Sequence, residues 1–408
     1  MEDTANKMTQ EKLWTKAYVC LLGVNVLSAF SFYMTATVLI SFLTDDAVGM
    51  TAAMAGVISG MFSITSFICR PMCGVMSDRM NKVRLLQIAA VMMSLGCFGY
   101  TLPAGIGIII LMRVIHGAGF AVNSTAVTAL TAEKIPMSKM GEGIGYMGLA
   151  NVIASAAAPG IGISISEVLG YKAVFYISGI LGLVTMAIFC TFREKGKPRI
   201  HLKKKLEFSD ILAVDVLGYT LIGGIFSFTN GVISAYLLMY AQAMGIVNVG
   251  LYFTVNAVVM FLIRPAAGKL MDRHGLYVVA FPGLVVTAAS MILLAQAGSF
   301  GSLALGIIII SGMIRAVGQG AVNPALQTQC IHKLGIAKSG VATSTFYLGG
   351  DIGQGLGPMA AGAMIGTNDK DPASYKKVFY MCTVLLIAAV FILMRVKKKD
   401  IQNDKKSR

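Results

Sequence analysis

The feature that most constrains this chain is a series of apolar runs, most of them long enough to cross a lipid bilayer. A hydrocarbon core of about 30 Å needs about 20 apolar residues in a helix. The runs are continuous rather than alternating, which predicts helices and not the strands of a barrel. We count twelve runs, numbered helix 1 to helix 12: 17–43, 52–76, 85–102, 107–132, 144–168, 173–192, 211–241, 249–270, 278–297, 303–331, 340–365 and 378–394.

Composition supports an all-α membrane protein. Of the 408 residues 56% are hydrophobic and 13% are charged, whereas a soluble domain carries about 25% charged residues. The net charge of +15 is compatible with nucleic-acid binding. The basic residues nevertheless lie in short loops between apolar runs, so we expect no nucleic-acid partner. No nucleophile–base pair, metal cluster or nucleotide loop is recognisable, and we therefore predict no enzymatic activity, no cofactor and no metal.

The distribution of Lys and Arg predicts the orientation. With both termini in the cytoplasm, 26 of the 34 basic residues fall in cytoplasmic segments and four fall in outside loops. This bias obeys the positive-inside rule and predicts a multi-pass protein of the inner (cytoplasmic) membrane. The longest basic stretch, residues 193–205, lies between helices 6 and 7. We interpret it as an orientation signal and solvated linker in preference to a site for anionic lipid.

The two halves of the chain contain an internal repeat. The segment 70–79, RPMCGVMSDR, matches 264–273, RPAAGKLMDR, at an offset of 194 residues. Arg113 in helix 4 and Arg315 in helix 10 are each followed by two glycines and an asparagine. A parallel repeat of two helical halves places a solute site between them, near the middle of the membrane. We predict an N-terminal bundle (1–192), a cytoplasmic basic linker (193–210) and a C-terminal bundle (211–408).

These motifs resemble signatures of the major facilitator superfamily, and the resemblance covers essentially the whole chain. The loop motif Gly-x-x-x-Asp-Arg-x-Gly appears twice: as Gly74, Asp78 and Arg79, with Asn81 for the second glycine, and as Gly268, Asp272, Arg273 and Gly275. The helix 4 motif has His116 in place of glutamine, and the antiporter signature is better preserved in helix 11 than in helix 5. The resemblance implies twelve spans in two pseudo-symmetric six-helix bundles.

The resemblance also implies a conformational latch built from the repeated loop motif. In the family, the aspartate equivalent to Asp78 meets the N-terminal end of helix 11, where the helix dipole favours a carboxylate. By the repeat, Asp272 is expected to meet helix 5. Gly74 and Gly268 lack side chains and let another helix approach closely. The alternative is that Asp78 and Arg79 only mark a solvated loop.

Ionisable residues deep in a span are functional candidates because burying them is costly. Asp351 and Arg315 lie at similar depth in helices 11 and 10, and Arg113 lies in helix 4. Asp351 is our candidate for proton coupling, against the alternative of a static Arg315–Asp351 pair. Arg113 either binds an anionic group or hydrogen-bonds the backbone of a neighbouring helix.

Deep amides and one tyrosine complete a predicted polar cavity. Helices 1, 4, 7 and 10 line the cavity in the family, and each carries at least one amide here. The substrate-binding candidates are Arg113, Arg315, Asn25, Asn123, Asn151, Asn230, Asn256, Gln319, Asn323 and Tyr347. Some of these amides are expected to join helices instead.

The leading hypothesis is a monomeric secondary transporter that exports a small organic solute by alternating access, coupled to protons. The antiporter-like Pro-Gly elements and the single deep acid favour it. The alternative is an uptake symporter or exchanger for an organic anion, indicated by two deep arginines against one acid.

Overall fold

The computed structural model describes residues 12–45, 48–50, 52–102, 105–192, 207–246, 248–366 and 371–407. Within these ranges the chain forms twelve long helices and no strand, which confirms the predicted all-α fold. The helices are α1 (Lys16–Thr44), α2 (Ala52–Arg79), α3 (Lys82–Gly99), α4 (Ile106–Lys134), α5 (Met140–Leu169), α6 (Tyr171–Thr191), α7 (Leu217–Ala243), α8 (Leu251–His274), α9 (Leu276–Gln296), α10 (Ala304–Leu334), α11 (Ser339–Ile365) and α12 (Pro372–Ser407).

Two helices differ from their predicted bounds. Helix 7 was expected from residue 211, but a short helix, Phe208–Ile211, and a 3₁₀ turn, Val214–Val216, precede α7. Helix 12 was expected to end at residue 394, whereas α12 continues to Ser407. Hydropathy marks only the lipid-embedded part of a helix, and the continuation is rich in lysine, which is a good helix former. The predicted N-terminal segment 1–11 and linker residues 193–206 lie outside the described residues.

Length and composition qualify ten stretches of the described chain as membrane spans, and one of them, 276–334, contains both α9 and α10. Helix α11 is missing from that set because it is rich in glycine, serine and threonine. Its glycines allow close packing: a Cβ on Gly349, Gly353 or Gly357 would collide with the backbone of α7. Small residues at such contacts are typical of helices that pack within a membrane.

The two halves meet through α2 against α11 and through α5 against α8. We call the end of the bundle where α2 leads into α3, and α8 into α9, the motif end. The other end is the opposite end. Equivalent helices pack together in each half: α3 against α4 and α1 against α5 in the first, and α9 against α10 and α7 against α11 in the second. The repeat seen in the sequence is therefore a repeat of structure.

Candidate functional site

At the motif end, two carboxylates each close one contact between the halves. Asp78 accepts hydrogen bonds from the backbone N–H groups of Gly340 and Val341, at 2.7 and 2.9 Å. These donors belong to the first turn of α11, where free N–H groups and the helix dipole both favour an anion. The contact expected of Asp78 is thus present in the structure.

The second contact is the repeat of the first. Asp272 accepts from the backbone N–H groups of Gly141 and Glu142, at 2.6 and 2.9 Å, in the first turn of α5. A Cβ on Gly268 would lie 2.5 Å from the carbonyl oxygen of Gly141 and 2.7 Å from the Cα of Glu142. A Cβ on Gly74 would meet α11 in the same way. The repeated motif therefore supplies both the carboxylate and the space it needs.

The arginines of the motif behave differently in the two halves. Arg79 pairs with Asp210 of the short linker helix at 2.5 Å, and Lys338 lies 3.6 Å from the same carboxylate. Partial burial opposes the charge of Asp210, but the backbone N–H of Glu207 and the two cations outweigh it and hold the pKa of this carboxyl below its usual range. Arg273 is exposed in the last turn of α8. Arg79 thus joins the linker to the closed motif end.

A cavity of about 270 Å³ lies between the halves and is lined by residues of α1, α2, α4, α5, α7, α8, α10 and α11. It holds five of the predicted candidates: Asn25, Asn123, Asn151, Asn323 and Tyr347. The side-chain oxygens of Asn123 and Asn323 are buried and find no hydrogen-bond partner among the described residues. Asn25 donates to the carbonyl oxygen of Met147 at 2.9 Å. The cavity therefore offers unused acceptors to a solute.

Asp351 pairs with Arg70 of α2, and the alternative of a static pair with Arg315 was wrong. Nε of Arg70 donates to Asp351 Oδ2 at 2.8 Å, and Nη2 lies 3.4 Å from Oδ1. Arg70 also donates to Ser124 Oγ at 2.6 Å, and its guanidinium lies 4.8 Å from the ring centroid of Tyr347. The ion pair therefore crosses from the N-terminal half to the C-terminal half.

Arg315 instead belongs to a polar cluster inside the C-terminal half. It donates to Gln319 Oε1 at 2.8 Å and to Asn230 Oδ1 at 3.2 Å. Its neighbours are on α7 and α10, whereas α11 presents Asp351 to α2. Arg315 and Asp351 lie at similar depth on consecutive helices, but their side chains do not face each other.

Two further candidates join helices within one half. Arg113 donates to the carbonyl oxygen of Ser59 at 3.0 Å and lies over the ring of Phe62 at 4.7 Å, which matches the alternative of a backbone contact. Asn256 donates to the carbonyl oxygen of Gly312 at 3.0 Å and so connects α8 with α10. Neither residue lines the central cavity.

Sequence reasoning missed the two arginines that do line the cavity, Arg70 and Arg264. They occupy equivalent positions of the repeat, one turn before the motif glycine. The guanidinium of Arg264 rests against Gly148, where any side chain would collide with it. The duplicated Arg-Pro pair was the available signal.

Several polar side chains near the middle of the protein are exposed. Asn151, Ser155 and Gln354 are exposed, although each lies more than ten residues beyond the start of α5 or α11 at the motif end. Exposed polar side chains at that depth, above a closed motif end, indicate a funnel open at the opposite end.

Comparison with known proteins gives the family. The Major Facilitator Superfamily profile matches residues 21–358 and 216–408. The Multi-drug resistance efflux pump PmrA of Streptococcus pneumoniae is 28% identical over 83% of this chain and 84% of its own length. The Staphylopine export protein of Staphylococcus aureus is 23% identical over 86% of this chain and 88% of its own length.

A solved structure supports the same fold. A bacterial homologue of the iron transporter ferroportin, in an outward-facing state, superposes with a TM-score of 0.78 at 13% identity, covering 94% of this chain and all (100%) of that chain. Likeness at this identity concerns the fold alone. The profile match, the repeated motifs and the two packed halves agree: the chain belongs to the Major Facilitator Superfamily, as a multi-pass membrane transporter and not an enzyme.

Proposed function

We propose that the chain exports a small organic solute by alternating access, driven by protons that move in the other direction. The observation that carries this proposal is the ion pair between Arg70 and Asp351, which joins the two halves across the central cavity. It is a charge contact that one proton can remove. Export is also what the names of PmrA and the Staphylopine export protein describe for those relatives.

Protonation of Asp351 would weaken the closed motif end. The carboxylate side chain keeps 24% of its exposure, so protons reach it through the funnel, while Arg70 is 4% exposed. Removing one partner of such a pair costs between about 1 kcal/mol, the value of an exposed pair, and about 3–5 kcal/mol, the value of a buried one. A proton from the opposite side therefore biases the halves toward opening at the motif end.

The charge distribution supports a cytoplasmic motif end. The short loops at this end carry most of the loop Lys and Arg, as the positive-inside rule requires of the cytoplasmic side. In this orientation the described conformation faces outward, both termini are cytoplasmic, and an incoming proton resets the carrier toward the side on which it collects solute.

The alternative is uptake or exchange of an organic anion. It is favoured by the balance of charges within the spans: the described residues include four arginines, Arg70, Arg113, Arg264 and Arg315, and one deep carboxylate, Asp351. The alternative uses the same cavity and the same alternating access as the proposal. Only the direction of flux relative to protons separates them.

The test uses purified full-length protein in proteoliposomes. Small organic solutes are first screened by thermal stabilisation, since a ligand of the folded form raises its stability. Flux of the best stabiliser is then measured under an imposed pH gradient in the wild type, in Asp351→Asn, and in Asp371→Asn, which removes an exposed carboxylate charge at the opposite end.

We expect solute and protons to move oppositely in the wild type and in Asp371→Asn. Asp351→Asn should still exchange solute for solute but should lose the response to the pH gradient. Movement of solute and protons together would select the alternative. An unchanged pH response in Asp351→Asn would remove this carboxylate from the coupling mechanism.

A further inference from the structure

We infer that the transported solute is a small organic acid whose carboxylate binds Arg264. This inference rests on the proposed transport function and names the class of solute. It starts from an asymmetry between the two cavity arginines, which occupy equivalent positions of the repeat but have different partners.

The first step is the charge of the cavity wall. Arg70 is neutralised by Asp351 at 2.8 Å. No carboxylate among the described residues lies within ion-pair distance of Arg264, and its Nε is buried without a hydrogen-bond partner. The cavity therefore carries one uncompensated positive charge. An unpaired cation within a membrane protein is costly and is a functional candidate by default.

The second step is the origin of the missing acid. Two pairs of equivalent residues align α5 with α11 at a constant offset of 199: Gly141 with Gly340, and Pro159 with Pro358. The same offset places Val152 at the position of Asp351. Val152 packs with Met260 and Ala316 in an apolar cluster. The C-terminal arginine thus lacks a partner because the chain has valine where the other half has aspartate.

The third step is the shape of the site. Gly148 leaves the space that the guanidinium of Arg264 occupies at the cavity wall. A planar guanidinium matches a carboxylate through two parallel hydrogen bonds. Around it the cavity offers the amides of Asn25 and Asn323 and the apolar rings of Phe120 and Phe346. A volume of about 270 Å³ is at the low end for a ligand site and fits a compact aromatic or aliphatic acid.

The experiment compares three probes that share a naphthyl ring and carry a negative, neutral or positive polar group: 1-naphthoate, 1-naphthamide and 1-naphthylmethylammonium. Binding is measured by calorimetry and thermal shift on the purified full-length protein in detergent. We expect the carboxylate to bind the wild type about ten- to a hundredfold more tightly than the amide, which is the value of a charge-assisted hydrogen bond. The ammonium probe should bind most weakly.

Three variants test the assignment to Arg264. Arg264→Gln should abolish the preference for the carboxylate. Val152→Asp supplies the acid that the repeat lacks. This variant should also abolish the preference for the carboxylate, although Arg264 is intact. Lys172→Gln, which removes an exposed positive charge at the start of α6, should keep the preference. Size-exclusion elution and the unliganded melting temperature identify folded variants, and Gly148→Ala, which displaces the guanidinium, replaces any variant that fails.

Two results would overturn the inference: equal affinity of the wild type for carboxylate and amide, or a carboxylate preference that survives in folded Arg264→Gln. Equilibrium binding in detergent requires neither a pH gradient nor transport. Its failure would therefore leave proton-coupled export of a neutral or cationic solute untouched. Conversely, Asp351→Asn should lose proton coupling and still bind 1-naphthoate, because Arg264 is unchanged in this variant. Each proposal can therefore fail without the other.

Discussion

Replacing the two motif carboxylates with amides should open the motif end. In Asp78→Asn, one side-chain oxygen still accepts a hydrogen bond from the first turn of α11, but the charge is lost. The other position becomes an NH₂ group that faces a backbone N–H and can no longer accept from it. Asp272→Asn makes the same change at α5, and the two variants act on one conformational equilibrium.

The magnitude follows from the contacts. Asp78 accepts two backbone hydrogen bonds at 2.7 and 2.9 Å. Hydrogen bonds to charged groups contribute about 1.5–3 kcal/mol each, and neutral ones about half as much. Losing one bond and weakening the other by half costs about 2–4.5 kcal/mol, which shifts the equilibrium about 30- to 2000-fold toward the open motif end. The double variant should approach the sum, since the contacts share no partner.

The assay is a distance measurement across the motif end. Spin labels are placed at Met80, which is 45% exposed in the loop after α2, and at exposed Ala337 before α11, in a chain without its seven cysteines. Double electron–electron resonance then gives the distribution of label distances. We expect the wild type to populate the short distance and the double variant to populate a longer one.

The matched control is Asp371→Asn, which removes a carboxylate that caps α12 through the N–H of Ala373 at 2.9 Å without contacting the other half. It should leave the label distances unchanged. If the double variant retains the distance distribution of the wild type, the carboxylates only cap their helices and the latch is refuted.

Two further changes test the packing around the site. Gly268→Val should reduce transport at least tenfold, because its side chain would meet the backbone of α5, whereas Gly60→Ala, which adds a methyl group where no atom lies within 4 Å, should retain flux. Asp400→Asn should lower the melting temperature without changing solute affinity, since it removes about 2–3 kcal/mol of contacts to Lys333, at 2.5 Å, and to two tyrosine hydroxyls of the C-terminal half. An unchanged melting temperature would show that this end of α12 does not stabilise the bundle.

The fold was predictable because its strongest signals are local. A run of apolar residues predicts a span whatever surrounds it, and a repeated motif predicts that two halves share one architecture. The contact of Asp78 was expected from the resemblance to the family, and the repeat extended this expectation to Asp272. A carboxylate at the end of one helix and a free N-terminus on another need only be brought to the same side of the membrane.

The partners of the buried charges were not predictable from depth along a helix. Asp351 and Arg315 lie at similar depth on consecutive helices, which favoured a pair between them. Which residue a side chain meets depends on the face that each helix presents. Helix α11 packs mainly against α7 and α2, so its acid meets Arg70. The rotation of each helix about its own axis is determined by packing in the whole bundle and cannot be read from a single apolar run.

The asymmetry within the repeat connects the structure to coupled transport. Two identical halves would place an acid beside each of the two cavity arginines. The two arginines would then have the same environment, and there would be no separate sites for the proton and the solute. Here Asp351 pairs with Arg70, and Val152 leaves Arg264 for another anion. In the proposed mechanism, a proton discharges Asp351 in its pair with Arg70, and an acidic solute neutralises Arg264. Because Arg70 and Arg264 both line the same cavity, each ligand can bias the equilibrium that the other requires, which is the thermodynamic condition for coupling.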